Sequence, residues 1–252
     1  MKRYKLICCK VLQREIAWCM VKTNNYIDLT FLRQELHETP EKLREVLQKE
    51  IDIVESGHDL HSSDYGNEQR MKTLDAIIIG YGLCSNALVG LHSSKVPLVI
   101  PRCHDCTTLM MGSKEAYREY FDAVKGTSFL TRGWLDNGQN FAERNLEQLR
   151  AIYMEKYQDE EAVEFLLEME AMTMGNYEVL TCIYWPELPD PELLQQAKEI
   201  AKEHGWEYKR FDGNSSLVQE MLNGDWDPEK FLIVQPGQTV KPSYDELIIK
   251  AE

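Results

Sequence analysis

The stretch LDAIIIGYGLCSNALVGLHSSKVPLVIPRCHDCTTLMMGS, residues 74–113, holds two short apolar runs, 76–79 and 96–100. Glycine, cysteine or histidine follows each within a few residues. A continuous β-branched run bounded by turn residues is the pattern of a strand buried on both faces. In open α/β sheets, chemistry gathers in the crevice beyond the carboxyl ends of such strands. Here those ends read Tyr81-Gly82-Leu83-Cys84-Ser85-Asn86 and Pro101-Arg102-Cys103-His104-Asp105-Cys106. The first expected strand of the chain, 4–7, ends the same way, in Cys8-Cys9. Three expected strand ends therefore each deliver thiols.

Outward from this centre, strand and helix patterns alternate. Residues 10–22 have helical spacing, 27–32 read as a strand, and Thr39-Pro40 starts a helix over 41–55, with threonine as N-cap and proline at the first helical position. A polar connection, 57–66, contains His58, Asp59, His61 and Asp64, but nothing in its spacing fixes a metal site, and its serines and glycines fit a solvated loop. Residues 107–124 are helical with an interruption at Gly112-Ser113, where Ser113 caps the second segment. Strands follow at 127–130, 178–184, 206–211 and 231–234, with helices from Asp190-Pro191 to Gly205 and over 215–222. Between them, 139–175 is helical almost throughout, with a break near Asp159. The expected fold is α/β: a mostly parallel sheet with helices on both faces, in Rossmann-like layers, plus a helical insertion. One α/β domain over 1–252 is expected, with a possible subdivision into 1–138 carrying the Cys/His site, the insertion 139–177 and a C-terminal half 178–252.

The 252-residue chain is 43% hydrophobic and carries a formal charge of −14. The first figure supports a substantial core. The second argues against a nucleic-acid backbone or an anionic membrane as partner, since both need clustered cations. No window resembles a spanning helix, and charges interrupt the apolar part of the N-terminus, unlike a signal peptide. A soluble cytoplasmic protein is expected, acting on a small-molecule substrate. Its seven cysteines are an odd number. In a reducing compartment, cysteines grouped at turns signal metal or catalysis more often than bridges. Cys19 and Cys182, inside a helix and a strand pattern, read as buried hydrophobes instead.

Thiolate and imidazole are natural zinc ligands, and thiolates alone hold iron–sulfur clusters. The candidate metal ligands are Cys8 or Cys9, Cys84, His104, and Cys103 or Cys106, for Zn2+ or a [4Fe–4S] cluster, with His104 either the fourth ligand or an acid/base beside three thiolates. Asp105 and Glu15 are candidate catalytic groups; Glu15, on the first helix, reads equally well as a solvated glutamate. Gly80, Gly82, Ser85 and Asn86 would cradle an anionic cofactor group if the amides after the strand faced one. The full dinucleotide fingerprint and a Walker-type loop are both absent. Cys103 and Cys106 also form a C-x-x-C pair, suited to a redox dithiol. No nucleophile elbow of the serine-hydrolase type is present.

LICCKVLQREI near the start, GYGLCSNALVGL, and PLVIPRCHDCTTLMMGSKEAY resemble an uncharacterised family, the domain-of-unknown-function family numbered 1638, found in anaerobic bacteria and archaea. The resemblance implies Cys9 rather than Cys8 in the pattern, followed by Glu15, His37, Cys84 and His104-Asp105-Cys106. Cys103 falls where a small residue is expected. Members are often encoded beside corrinoid-dependent methyltransferases, which implies anaerobic one-carbon metabolism. On that footing the expected function is a Cys/His metal centre acting in or supporting corrinoid-dependent methyl transfer, with a corrinoid reached through a partner protein. The alternatives are a non-catalytic accessory protein docking on a corrinoid protein or methyltransferase, and a thiol redox enzyme using Cys103 and Cys106.

Overall fold

The computed structural model describes residues 1–34, 36, 39–57, 73–84, 86–137 and 146–252, with the backbone alone at 148, 173 and 174. The polar stretch with His58, Asp59, His61 and Asp64, and also His37 and Ser85, lie outside the described residues. The chain groups into two compact units, residues 1–117 with 214–252, and residues 118–213. The boundaries that the sequence suggests near 138 and 178 both fall inside the second unit.

In the first unit the strands are β1 (Arg3–Cys9), β2 (Tyr26–Leu32), β3 (Ala76–Gly80) and β4 (Leu98–Pro101). Helices α1 (Gln13–Met20), α2 (Pro40–Ser56) and α3 (Cys106–Met111) belong with them. The strands lie in the order β2-β1-β3-β4, all parallel. Ile77, Ile78, Ile79, Leu98, Val99 and Ile100 are fully buried, as their unbroken apolar runs require. Helix α2 turns Leu43, Leu47, Ile51 and Val54 inward and stops at Gly57, whose φ of 80° suits a residue without a side chain. Contrary to the sequence reading, the Thr39 hydroxyl makes no capping bond at its start; the Thr39 carbonyl accepts from Lys42 and Leu43 instead.

The strand order matters more than the strand count. From β1 the chain crosses to β2 on one side, then returns past β1 to β3 on the other. Right-handed crossovers made in opposite directions put the two connecting helices on opposite faces. The carboxyl ends of β1 and β3 therefore border the topological switch point, where the helices diverge and leave a crevice.

Beyond α3 come α4 (Lys114–Ala123), β5 (Thr127–Leu130), α5 (Arg132–Asn137), α6 (Leu146–Tyr157), α7 (Glu160–Gly175), β6 (Val179–Tyr184), α8 (Pro191–His204) and β7 (Glu207–Asp212). The Ser113 side chain caps α4 by accepting from the Ala116 amide at 3.0 Å. The second unit holds the parallel sheet β5-β6-β7, whose core includes Leu130, Leu180, Cys182, Leu193 and Ala197. Burial there pushes the Cys182 thiol up to about 12, the behaviour of an inert packed cysteine. Helices α6 and α7 pack on each other through Leu149, Val163 and Leu167.

Residues after 213 return to the first unit as α9 (Ser216–Asn223), which packs on α1, and β8 (Phe231–Val234). The expectation of parallel pairing fails at β8, which runs antiparallel to β4. Alternation constrains direction only within an unbroken run of strand and helix, and the excursion through 118–213 interrupts that run. A short antiparallel pair, β9 (Val240–Pro242) and β10 (Ile249–Ala251), closes the chain. No helix among the described residues is long and apolar enough to cross a membrane.

Glu55, at the end of α2, fixes the approach to β4. Its carboxylate accepts from the Ser93 hydroxyl and from the Ser94, Lys95 and Val96 amides at 2.5–3.1 Å. Burial pushes this carboxyl up, but the donors outweigh it and hold it at about 2. A carboxyl lowered in the folded state contributes stability above its unfolded value near 4.3, and loses it as pH falls through the folded value. Glu55→Gln should cost on the order of 2 kcal/mol at pH 7. Urea unfolding should show the difference from wild type closing between about pH 5 and pH 2. A gap that persists unchanged at pH 2 would contradict this account.

Candidate functional site

Cys9 is the last residue of β1, Gly80 the last of β3, and α3 begins at Cys106 a few residues beyond β4. Because β1, β3 and β4 are neighbours in space, the loops after them meet at one rim. Two backbone bonds fasten the second loop to the third: the Leu83 amide donates to the Cys103 carbonyl at 2.8 Å, and the Cys84 amide to the His104 carbonyl at 2.9 Å. Gly82 permits this closeness. A Cβ there would stand 2.5–2.6 Å from the backbone N, Cα and C of Asp105. At Gly80 a Cβ would meet that of Cys8 at 2.5 Å. The space beside these glycines is filled by protein.

The loops deliver three thiols to one another. The Cys106 thiol lies close to Cys84 and Cys9, the two side chains that act most strongly on its proton affinity. The Gly82 amide also points at the Cys106 sulfur. Cys9 and Cys106 are 3% and 9% exposed, whereas Cys84 is half-buried, at a positive φ of 43°. The neighbouring Cys106 thiol, followed by burial, holds the Cys9 thiol far above the ordinary range, against the pull of the Val11 amide and the Tyr81 hydroxyl. Cys106 is likewise pushed up, chiefly by Cys84, with Cys9 opposing. Among the described residues, no group of three or more His, Cys, Asp or Glu side chains is arranged as a metal site. Burial and their closeness to one another keep the Cys9 and Cys106 thiols protonated.

Tyr81 completes the cluster. Its side chain is 1% exposed, and its hydroxyl finds no partner of ordinary hydrogen-bond geometry. The polar group it faces is the Cys9 sulfur. Burial, then the surrounding thiols Cys9, Cys106, Cys8 and Cys84, hold this phenol well above its usual value. A buried hydroxyl without a full partner is costly, on the order of 1–3 kcal/mol, and such groups call for an explanation. The sequence reading passed over Tyr81, although its place between two glycines directly after a buried strand was a usable signal.

Asp105 caps α3, accepting from the Thr108 amide at 3.2 Å and from the Tyr117 hydroxyl at 3.2 Å. Burial pushes its carboxyl up, while those donors restrain the shift. Tyr117 was also missed; its phenol is raised by burial and by the Asp105 charge. The His104 side chain is exposed, and its carbonyl, bonded to Cys84, is the part of it that the structure ties to the thiols. Cys103 is buried and raised by burial first, then by Cys106 and Asp105; Cys8 is fully buried. Glu15 is buried in the first turn of α1 rather than solvated. Asn86 is exposed at φ 67°, its carbonyl accepting from Arg44 at 3.0 Å. The structure thus brings together Cys9, Cys84 and Cys106, with Gly82 and Tyr81 against them.

A family model described as "Protein of unknown function (DUF1638)" matches residues 31–222. The match includes Cys84 and Cys106 and begins after Cys9, so the fold is what joins Cys9 to the other two. No curated protein and no solved structure matches the chain.

Proposed function

This chain belongs to the DUF1638 family, whose description assigns no activity, and from its site we propose that Cys9, Cys84 and Cys106 hold a thiophilic metal centre, Zn2+ or a [4Fe–4S] cluster, that acts in or supports methyl transfer. The single observation carrying this reading is the convergence of the loops that bear these thiols at the switch point of the sheet, with Cys84 and Cys9 the strongest influences on Cys106. The orphaned Tyr81 hydroxyl fits it as well. An O–H aimed at the Cys9 sulfur is a weakly engaged donor beside a thiol and a strong one beside a thiolate. The Val11 and Gly82 amides, directed at Cys9 and Cys106, would stabilise the same charge.

Cys9, Cys84 and Cys106 as three thiolates would leave a position of either centre open to a substrate, and the metal would supply there the acidity that keeps an incoming thiol deprotonated at neutral pH. The residues around it would orient the sulfurs, supply hydrogen bonds and keep water from Cys9 and Cys106. Methyl transfer, with a corrinoid protein or methyltransferase as partner, enters through the resemblance drawn from the sequence rather than through the geometry.

Elemental analysis and an absorption spectrum of anaerobically purified protein test the centre. One equivalent of colourless zinc, or iron and sulfide with brown colour, is the expected result. Because Cys9 and Cys106 hold their protons without metal, metal must displace them, and zinc affinity should rise about tenfold per pH unit for each proton released. Fresh protein that contains no metal and fails to bind zinc on reconstitution would end the proposal.

A further inference from the structure

We infer that Cys84 and Cys106 also form a reversible dithiol–disulfide couple, with Cys84 the thiol that meets the oxidant and Cys106 the one that resolves it. This goes beyond metal binding and rests on the closeness of the two loops that carry these thiols. The Cys84 side chain is also the neighbour that acts most strongly on the Cys106 thiol. The Leu83–Cys103 and Cys84–His104 backbone bonds hold the two loops side by side, the proximity that a disulfide requires. Accessibility separates the roles. Cys84 is half-buried in a turn, while Cys9, Cys103 and Cys106 are all buried, so a small peroxide reaches Cys84 first.

The C-x-x-C spacing pointed to Cys103 as the partner of Cys106. Cys84, and not Cys103, is the cysteine that acts most strongly on the Cys106 thiol. The chemistry balances with hydrogen peroxide as oxidant. The Cys84 sulfur displaces hydroxide from the peroxide O–O bond, giving a sulfenic acid and, with the thiol proton, water. The Cys106 sulfur then attacks the Cys84 sulfur, the S–O bond breaks, and a second water leaves as the S–S bond forms. Two thiols are oxidised by two electrons, and one peroxide is reduced. An external dithiol reverses the change by exchange.

The test uses the full chain, made metal-free with excess chelator and treated with one equivalent of hydrogen peroxide. Remaining thiols are alkylated, and the unreduced digest is mapped by mass spectrometry. The expected result is a Cys84 peptide joined to a Cys106 peptide, lost on adding dithiothreitol. Cys84→Ser should leave Cys106 alkylatable, and Cys103→Ser should form the crosslink as wild type does. Cys106 joined to Cys103 or Cys9 instead, or both thiols still free, would overturn the inference; circular dichroism checks that each variant is folded. A parallel arm loaded with zinc separates this inference from the metal proposal. Protection of about tenfold or more fits metal on the same sulfurs. An unchanged rate with the crosslink still formed would sink the metal centre and leave the couple standing.

Discussion

Cys106→Ser should abolish metal binding while leaving the protein folded. Cys106 lies close to both Cys9 and Cys84, so its removal takes away the sulfur that the other two share. A serine hydroxyl keeps the size and can hydrogen-bond, but it is a poor ligand for a soft metal at neutral pH. The loss in zinc affinity should exceed the ~10–100-fold typical of losing an outer-shell partner. The folded state should lose little. Cys106 opens a short helix whose cap is supplied by Asp105, and a cost of about 1 kcal/mol corresponds to roughly 2–4 °C in a chain of this size. Metal content and a thermal melt on the same preparation read both quantities. Cys103→Ser is the informative partner, since Cys103 is just as buried but is not among the three thiols proposed to hold the metal. Full metal retention in Cys106→Ser, or loss in Cys103→Ser alone, would remove the centre as drawn.

Gly82→Ala is expected to have the largest effect on stability of any single methyl added at the site. The added carbon would lie 2.5–2.6 Å from the backbone of Asp105, which has no side-chain freedom with which to yield. Overpacking of this kind costs roughly 1–3 kcal/mol, and more when backbone must move. Relief requires the loops after β3 and β4 to part, which strains the Leu83–Cys103 and Cys84–His104 bonds and draws Cys84 away from Cys106. Lower stability and lower metal affinity should therefore appear together. Gly57→Ala gives the contrast. It faces open space, so its cost is only that of a left-handed backbone, about 1 kcal/mol, with metal binding untouched. Gly82→Ala unfolding within about 0.5 kcal/mol of wild type, as an ordinary surface change does, would contradict the close packing described.

The local elements were legible because their signals are local. The Ile77-Ile78-Ile79 run, Asp190-Pro191 and the Gly112-Ser113 break each mark a strand, a start or an interruption within a few residues, and each stands where the sequence places it. The thiols at the ends of β1, β3 and β4 were legible for the same reason. Other features depended on partners far along the chain. Lys5, inside the expected strand 4–7, is fully buried on β1 beside Asp28 of β2, at 3.2 Å. Glu15 is buried, and His104, which reads as a ligand from its neighbours in sequence, has its side chain exposed.

Strand order decided the site. By itself the sequence determined that thiols stand where buried strands end, since hydrophobic runs and turn residues are properties of contiguous chain. It carried no information on whether β1 lies next to β3, or on which side of Cys106 its partners fall. Those relations follow from crossovers packing helices on opposite faces of the sheet, and from a glycine that lets one loop lie on the backbone of another. The tertiary structure thereby made Cys84, rather than Cys103, the strongest influence on the Cys106 thiol, and brought the Tyr81 hydroxyl near Cys9. Contacts between residues nearly one hundred positions apart are fixed by packing, which spacing along the chain does not encode.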